Sequence, residues 1–172
     1  ENEGGETFIC GNPPYLGNTY QTAEQKAEIR DVVDGRSDSP GFLDYVAGWF
    51  IKAADYIRSA GGVAAFVSTN SICQGQSVPI IWPVIYSSGC DIFFAYTSFK
   101  WANLASHNAG VIVVIVGIST TAGKVRRLFS LGDTGEAVSK QCENINAYLV
   151  PGKNVQIEQL RAPVSEVSQM LF

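Results

Sequence analysis

Histidine is nearly absent from this sequence: His107 is the only one among 172 residues. A Ser/His or Cys/His nucleophilic pair and a histidine-rich metal centre are therefore largely excluded. Basic charge is scarce as well, with 12 Lys and Arg against 16 Asp and Glu, a net charge of −4. An acidic chain is a poor nucleic-acid binder on its own, because phosphate contacts need Lys and Arg. No run approaches the ~20 consecutive apolar residues of a membrane span. The stretch Glu1 to Glu6 is acidic and glycine-rich, unlike a signal peptide. The four cysteines, Cys10, Cys73, Cys90 and Cys142, lie far apart and form no CxxC pair. They read as reduced, mostly buried thiols of a cytoplasmic protein, holding neither a disulfide nor zinc.

What is present is material for a core. Hydrophobic residues make up 46% of the chain and charged residues 16%, which suits one globular domain or a large piece of one. Thr7–Cys10 is a short β-favouring run, and Asn12-Pro13-Pro14 must turn the chain out of it, since consecutive prolines cannot continue a ladder. Thr22 and Gln25 have the spacing of a capping box and predict a helix over Ala23–Val33, stopped by Gly35. Ser39-Pro40 reads as a second helix start, with the helix running to about Ser59 before Gly61-Gly62. Val63–Ser68 is a continuous apolar strand, buried on both faces, with a loop over Thr69–Gly75. Ser77–Ser87 reads as a short helix kinked or delayed by Pro83. Asp91–Ala95 and Val111–Ile118 are two further strands around a loop from Tyr96 to Gly110, and Lys124–Phe129 reads as an edge strand. From Gly132 onward periodicity fades, with short extended pieces at Ala147–Val150 and Val155–Gln159. Alternating helices and apolar strands predict an α/β fold: a mostly parallel sheet with helices on its faces and an antiparallel strand pair at one end.

The chemistry-bearing residues are Asn12, Pro13, Pro14 and Tyr15, directly after a strand. Open α/β sheets bind ligands beyond the carboxyl ends of their strands. The prolines stiffen the turn and fix where the Pro13 carbonyl points. Asn12 offers a side-chain oxygen and Tyr15 a flat aromatic face. Two acceptors and a ring suit a planar ligand with an exocyclic amino group. Accepting both N–H bonds draws that nitrogen toward a tetrahedral, lone-pair-bearing geometry and makes it nucleophilic without a covalent intermediate. The plainer alternative is that Asn-Pro only makes a rigid turn.

The stretch ICGNPPYLG resembles motif IV of the amino-methyltransferases that act on adenine in DNA. FLDYVAGWFIKAADYI, VAAFVSTNSICQGQ, FAYTSFKWANLASHNAGVIVVIVGI and NINAYLVPGKNV, in that order, are similar to the type IIL, MmeI-like restriction–modification enzymes. The resemblance implies a partial Rossmann-like methyltransferase sheet. It implies that Asn12 and the Pro13 carbonyl hold the amino group of an adenine flipped out of double-stranded DNA, with Tyr15 stacked on the ring. Phe99 would close the other ring face, with Tyr96 and Trp101 as rivals. Ser68, Thr69 and Asn70 would border the pocket, and Lys100, Lys124, Arg126 and Arg127 would meet phosphates or simply form a solvated basic face.

The resemblance also implies S-adenosylmethionine in the complete enzyme, held by a glycine-rich loop after an earlier strand. Only residues 1–11 precede Asn12, so the expectation is a catalytic-domain half over residues 1–131 that binds no cofactor and is inactive alone. Residues 132–172 would be an irregular extension toward a target-recognition domain. The bare edge of the first strand would favour a homodimer. The alternative is a non-catalytic binding or assembly module of the same fold. Cytosine N4, or an amide of protein or RNA, stays open as the target.

Overall fold

The computed structural model describes residues 5–101, 111–132 and 134–155. Six strands and three α-helices alternate through them: β1 (Phe8–Gly11), α1 (Ala23–Val33), α2 (Ala47–Ala60), β2 (Val63–Thr69), α3 (Val78–Ser87), β3 (Asp91–Lys100), β4 (Ile112–Ser119), β5 (Arg126–Leu131) and β6 (Ala137–Cys142). They build one sheet of order β1-β2-β4-β3-β5-β6. Four strands point the same way, and β4 and β6 oppose them. The sheet is thus the α/β arrangement expected. β3 and β4 pair antiparallel as predicted, but β4 slots between β2 and β3 rather than sitting at an edge.

Local chemistry explains most boundaries. Thr22 accepts from the Gln25 amide while the Gln25 side chain accepts from the Thr22 amide, the reciprocal cap that starts α1. Gly61, at φ 74°, ends α2 where an L side chain would be strained. Pro83 lies inside α3, which continues through it to Ser87.

Four expectations are corrected. Pro40–Phe42 makes only one 3₁₀ turn, Leu43 is extended, and α2 begins at Ala47. β3 runs on to Lys100 through two bulges, between Ile92 and Phe94 and between Tyr96 and Phe99, where a loop was predicted. β6 forms in the stretch read as irregular and pairs with β5, so β5 is not the edge. Ala147–Val150 is a turn, in which the Asn146 side chain accepts from the Tyr148 amide. Ala147 and Leu149 of this turn, and Ile145 just before it, are buried in the main core. Residues 156–159 and His107 lie outside the described residues.

The two sheet faces differ. On one, Ala64, Phe66, Val114, Val116, Ile118 and Ile92 pack under α2 and α3, with Phe50 edge-on to Phe66 at 5.2 Å. Trp82 is fully buried there and donates to the Ile72 carbonyl at 2.7 Å. β2 alternates buried and half-buried residues, so it is not buried on both sides among the described residues. The opposite face carries an aromatic ladder: Phe94 meets Phe129, Phe129 stacks on Tyr96 at 4.8 Å and 10°, and Tyr96 meets Phe99.

Gly117 lies beneath this ladder. A Cβ there would overlap the Phe94 ring and approach Phe93 to 2.9 Å. Overpacking of this kind costs about 1–3 kcal/mol. Gly117→Ala is therefore expected to lower the thermal midpoint by several degrees, read by circular dichroism.

Candidate functional site

The residues expected to carry chemistry gather at the carboxyl end of β1 and β2. Asn12 is exposed, and its carboxamide has no hydrogen-bond partner among the described residues. Pro13 is buried, Pro14 is exposed, and Tyr15 is half-buried with its ring against the main core.

The loop that follows is held tightly. The Leu16 amide donates to Asp44 Oδ1 at 2.8 Å. The Leu16 carbonyl accepts from the Tyr45 amide at 3.0 Å and from Gln21 Nε2 at 2.8 Å. Gln21 Nε2 also donates to the Leu43 carbonyl at 2.9 Å. The Tyr45 phenol donates to Glu28, and that hydrogen bond raises its pKa above the ordinary tyrosine value. So the chain just after Tyr15 is locked to the segment leading into α2, and that segment to α1.

Phe99, the expected second ring, is placed by strand register. Thr69 of β2 lies opposite Val113 of β4, which lies opposite Phe99 of β3. Tyr96 and Phe99 are an odd number of residues apart and would point to opposite faces of a regular strand. The bulge between them brings both onto the face of Ile115 and Val113. Phe99 is half-buried, with Tyr96 at 6.1 Å and Trp101 at 6.3 Å between ring centroids. Lys100 is exposed and ends β3 at the same level.

Other expected residues stand elsewhere. Ser68 is fully buried, and its hydroxyl donates to the Thr69 carbonyl at 3.0 Å. Thr69, not Ser68, is the strand-end hydroxyl turned toward the loop. Asn70 opens the 3₁₀ turn Asn70–Cys73 and is half-buried. Arg126 is buried, with its guanidinium on Asp91 at 3.0 Å and on the Ile92 carbonyl at 3.1 Å, so it is no phosphate contact. Arg127 lies opposite Phe94, and Lys124 precedes β5, toward the other end of the strands from Lys100.

Asp44 is the residue that sequence reasoning missed. It falls inside the helix predicted from Pro40. Its only signal was an Asp placed just before a helical run, the pattern of an N-cap. It is buried and accepts from Leu16 N–H, from Val46 N–H at 3.2 Å and from the Thr69–Ser71 hydroxyl pair, whose oxygens lie 3.1 and 3.4 Å from Oδ2.

Cys10 is exposed and Cys142 half-buried, so only two of the four thiols, Cys73 and Cys90, are buried as expected, and these two are not nucleophile candidates. Cys73 is buried, and burial pushes its pKa far above the usual thiol range; burial also raises Cys90 to about 11. Among the described residues no cluster of His, Cys, Asp or Glu could hold a metal ion, and no helix is long and apolar enough to cross a membrane.

Residues 1–130 match the family model described as MmeI, DNA-methyltransferase domain. The chain belongs to this family. It is 40% identical over 167 residues to the protein named DNA methyltransferase A of Bacillus subtilis (strain 168), covering 97% of this chain and 18% of that protein. It also superposes on a solved structure of the type IIL restriction–modification enzyme MmeI in complex with DNA. There the TM-score is 0.86 at 40% identity, covering 92% of this chain and 21% of that one. The chain thus spans about a fifth of the length of these relatives. The MmeI-family assignment agrees with the resemblance carried by ICGNPPYLG and the longer stretches.

Proposed function

We propose that this chain forms the acceptor half of a DNA adenine-N6 methyltransferase of a restriction–modification system. The observation that carries the reading is Asn12-Pro13-Pro14-Tyr15 at the carboxyl end of β1, with an unengaged Asn12 amide and a Tyr15 ring seated on the core. Asn12 Oδ1 and the Pro13 carbonyl accept the two N–H bonds of adenine N6, leaving its lone pair free to attack a methyl group. Tyr15 stacks on the extruded base, and Phe99 closes the other side. Stacking supplies roughly 1–3 kcal/mol per base, against an extrusion cost of a few kcal/mol. Asn70 and Lys100 line the approach, with Lys100 near a phosphate, and the buried Ser68 supports the strand end from below.

The family's methyl donor is S-adenosylmethionine. The described residues do not fit it: the adjacent glycines Gly61 and Gly62 lie at the amino end of β2, and no glycine-rich loop follows the carboxyl end of a strand. The residues assigned here account for the acceptor side of the reaction.

The test is a graft. The matching segment of the Bacillus subtilis relative is replaced by this chain, and labelled S-adenosylmethionine is supplied with duplex DNA. Nucleoside chromatography should show N6-methyladenine with the graft and nothing with the isolated chain. N4-methylcytosine, or no product from a folded graft, would overturn the reading.

A further inference from the structure

We infer that Asp44 is a positioning residue of the base pocket, carrying the Asn12–Tyr15 loop one strand sideways so that Tyr15 and Phe99 can share one base. This rests on the acceptor reading above. β1 and β3 are separated by β2 and β4, three strand spacings or about 14 Å. That gap is too wide for one base between two rings, since stacked rings lie only a few ångströms from the base. From β2 to β3 it is two spacings, about 10 Å.

Asp44 makes this crossing. Oδ1 takes the amide of Leu16, the residue directly after Tyr15. Oδ2 accepts from the Thr69 hydroxyl at the last residue of β2, with Ser71 Oγ beyond it at 3.4 Å. Thr69 and Ser71 are themselves 2.7 Å apart, which fixes the height of the crossing. The loop from β1 is thereby pinned to the end of β2, whose Thr69 shares a rung with Val113 and Phe99. A carboxylate suits the task because each of its two oxygens accepts independently: Oδ1 takes two backbone amides while Oδ2 takes the Thr69–Ser71 hydroxyl pair. Among the described residues Asp44 has no cationic partner, so its charge is satisfied by hydrogen bonds alone.

The test uses the graft described above with duplex oligonucleotides that carry the target adenine or, in its place, one purine lacking the amino group. The affinities are compared by titration for the wild type, Asp44→Ala and Asp44→Asn. The purine lacks both N6 hydrogen bonds, and one good hydrogen bond is worth about tenfold in affinity, so the wild type should prefer adenine by at least about tenfold. Asp44→Ala should abolish that preference and speed hydrogen exchange at the Leu16 amide by at least about tenfold. Asp44→Asn should keep both, since its oxygen still accepts from Leu16 and the Thr69 and Ser71 hydroxyls can accept from its NH₂. Asp55→Ala, which removes the ion pair with Arg36 away from the loop, controls for lost stability alone. It should weaken both oligonucleotides equally or not at all.

The inference is overturned if Asp44→Ala keeps the preference and the Leu16 protection. It is also overturned if Asp44→Asn fails as fully as Ala, which would make charge rather than hydrogen bonding the operative property. A wild type without adenine preference sinks the acceptor reading instead, and Leu16 exchange then still decides whether Asp44 holds the loop.

Discussion

Asn12→Ala in the grafted enzyme is expected to lower methyl transfer to adenine by about 100-fold or more, the usual cost of deleting one preorganised hydrogen-bonding group at a reacting centre. The loss should fall on kcat. In the proposed pocket the Asn12 contact goes to the nitrogen that changes geometry, so it strengthens as the lone pair develops, and an interaction stronger in the transition state is read in kcat. Tyr15→Ala should behave differently. It removes stacking that holds the base both before and during reaction, at about 1–3 kcal/mol, so KM for DNA should rise by roughly 5- to 150-fold. Steady-state kinetics on one duplex separate the two. Equal effects on kcat and KM from both variants would mean that neither residue touches the base as described.

Trp82→Ala is expected to have the largest effect on stability. The ring is fully buried in the core, and its indole N–H satisfies the Ile72 carbonyl. Truncating a buried tryptophan costs about 3–5 kcal/mol, and an orphaned buried carbonyl adds about 1–3 kcal/mol. A domain's whole stability is about 5–15 kcal/mol, so much of the variant should be unfolded at 37 °C. Trp82→Phe keeps most of the volume and should lose about 1–3 kcal/mol. Urea unfolding followed by far-ultraviolet circular dichroism measures both. Ile72 belongs to the turn after β2, so the surviving folded Phe variant should also have a looser strand end beside Thr69.

Much of this architecture is legible in the sequence where the deciding forces are local. The Thr22–Gln25 cap settles α1 within a single turn, and the apolar runs of β2 and β4 announce buried strands. Asn12 to Tyr15 could be singled out because two prolines after a strand leave few conformations. What stays hidden is decided by partners distant in sequence. β3 looked finished at Ala95 because Thr97 and Ser98 are polar, yet β4 holds it in register through a bulge. β6, AVSKQC, has too little apolar character to declare itself and exists because β5 offers a free edge. Asp44 is legible only as a helix-start residue, whereas its work is done with Leu16 and Thr69, elements apart. The helix predicted from Pro40 failed at that same point, because the segment's side chain and backbone are claimed by the neighbouring loop.

The place of β4 also shapes how the chain can be made. Its two neighbours, β2 and β3, both emerge from the ribosome before it, and neither can pair with the other without shutting it out. The middle of the sheet therefore has to stand open during synthesis until residues 112–119 arrive, with Val63↔Ser119 and Thr69↔Val113 closing over a long span of chain. Long-range pairing of this sort is slow to form and leaves unpaired strand edges exposed meanwhile. Newly made copies truncated before residue 112 should accordingly be insoluble or chaperone-bound, while chains that include β4 should come free.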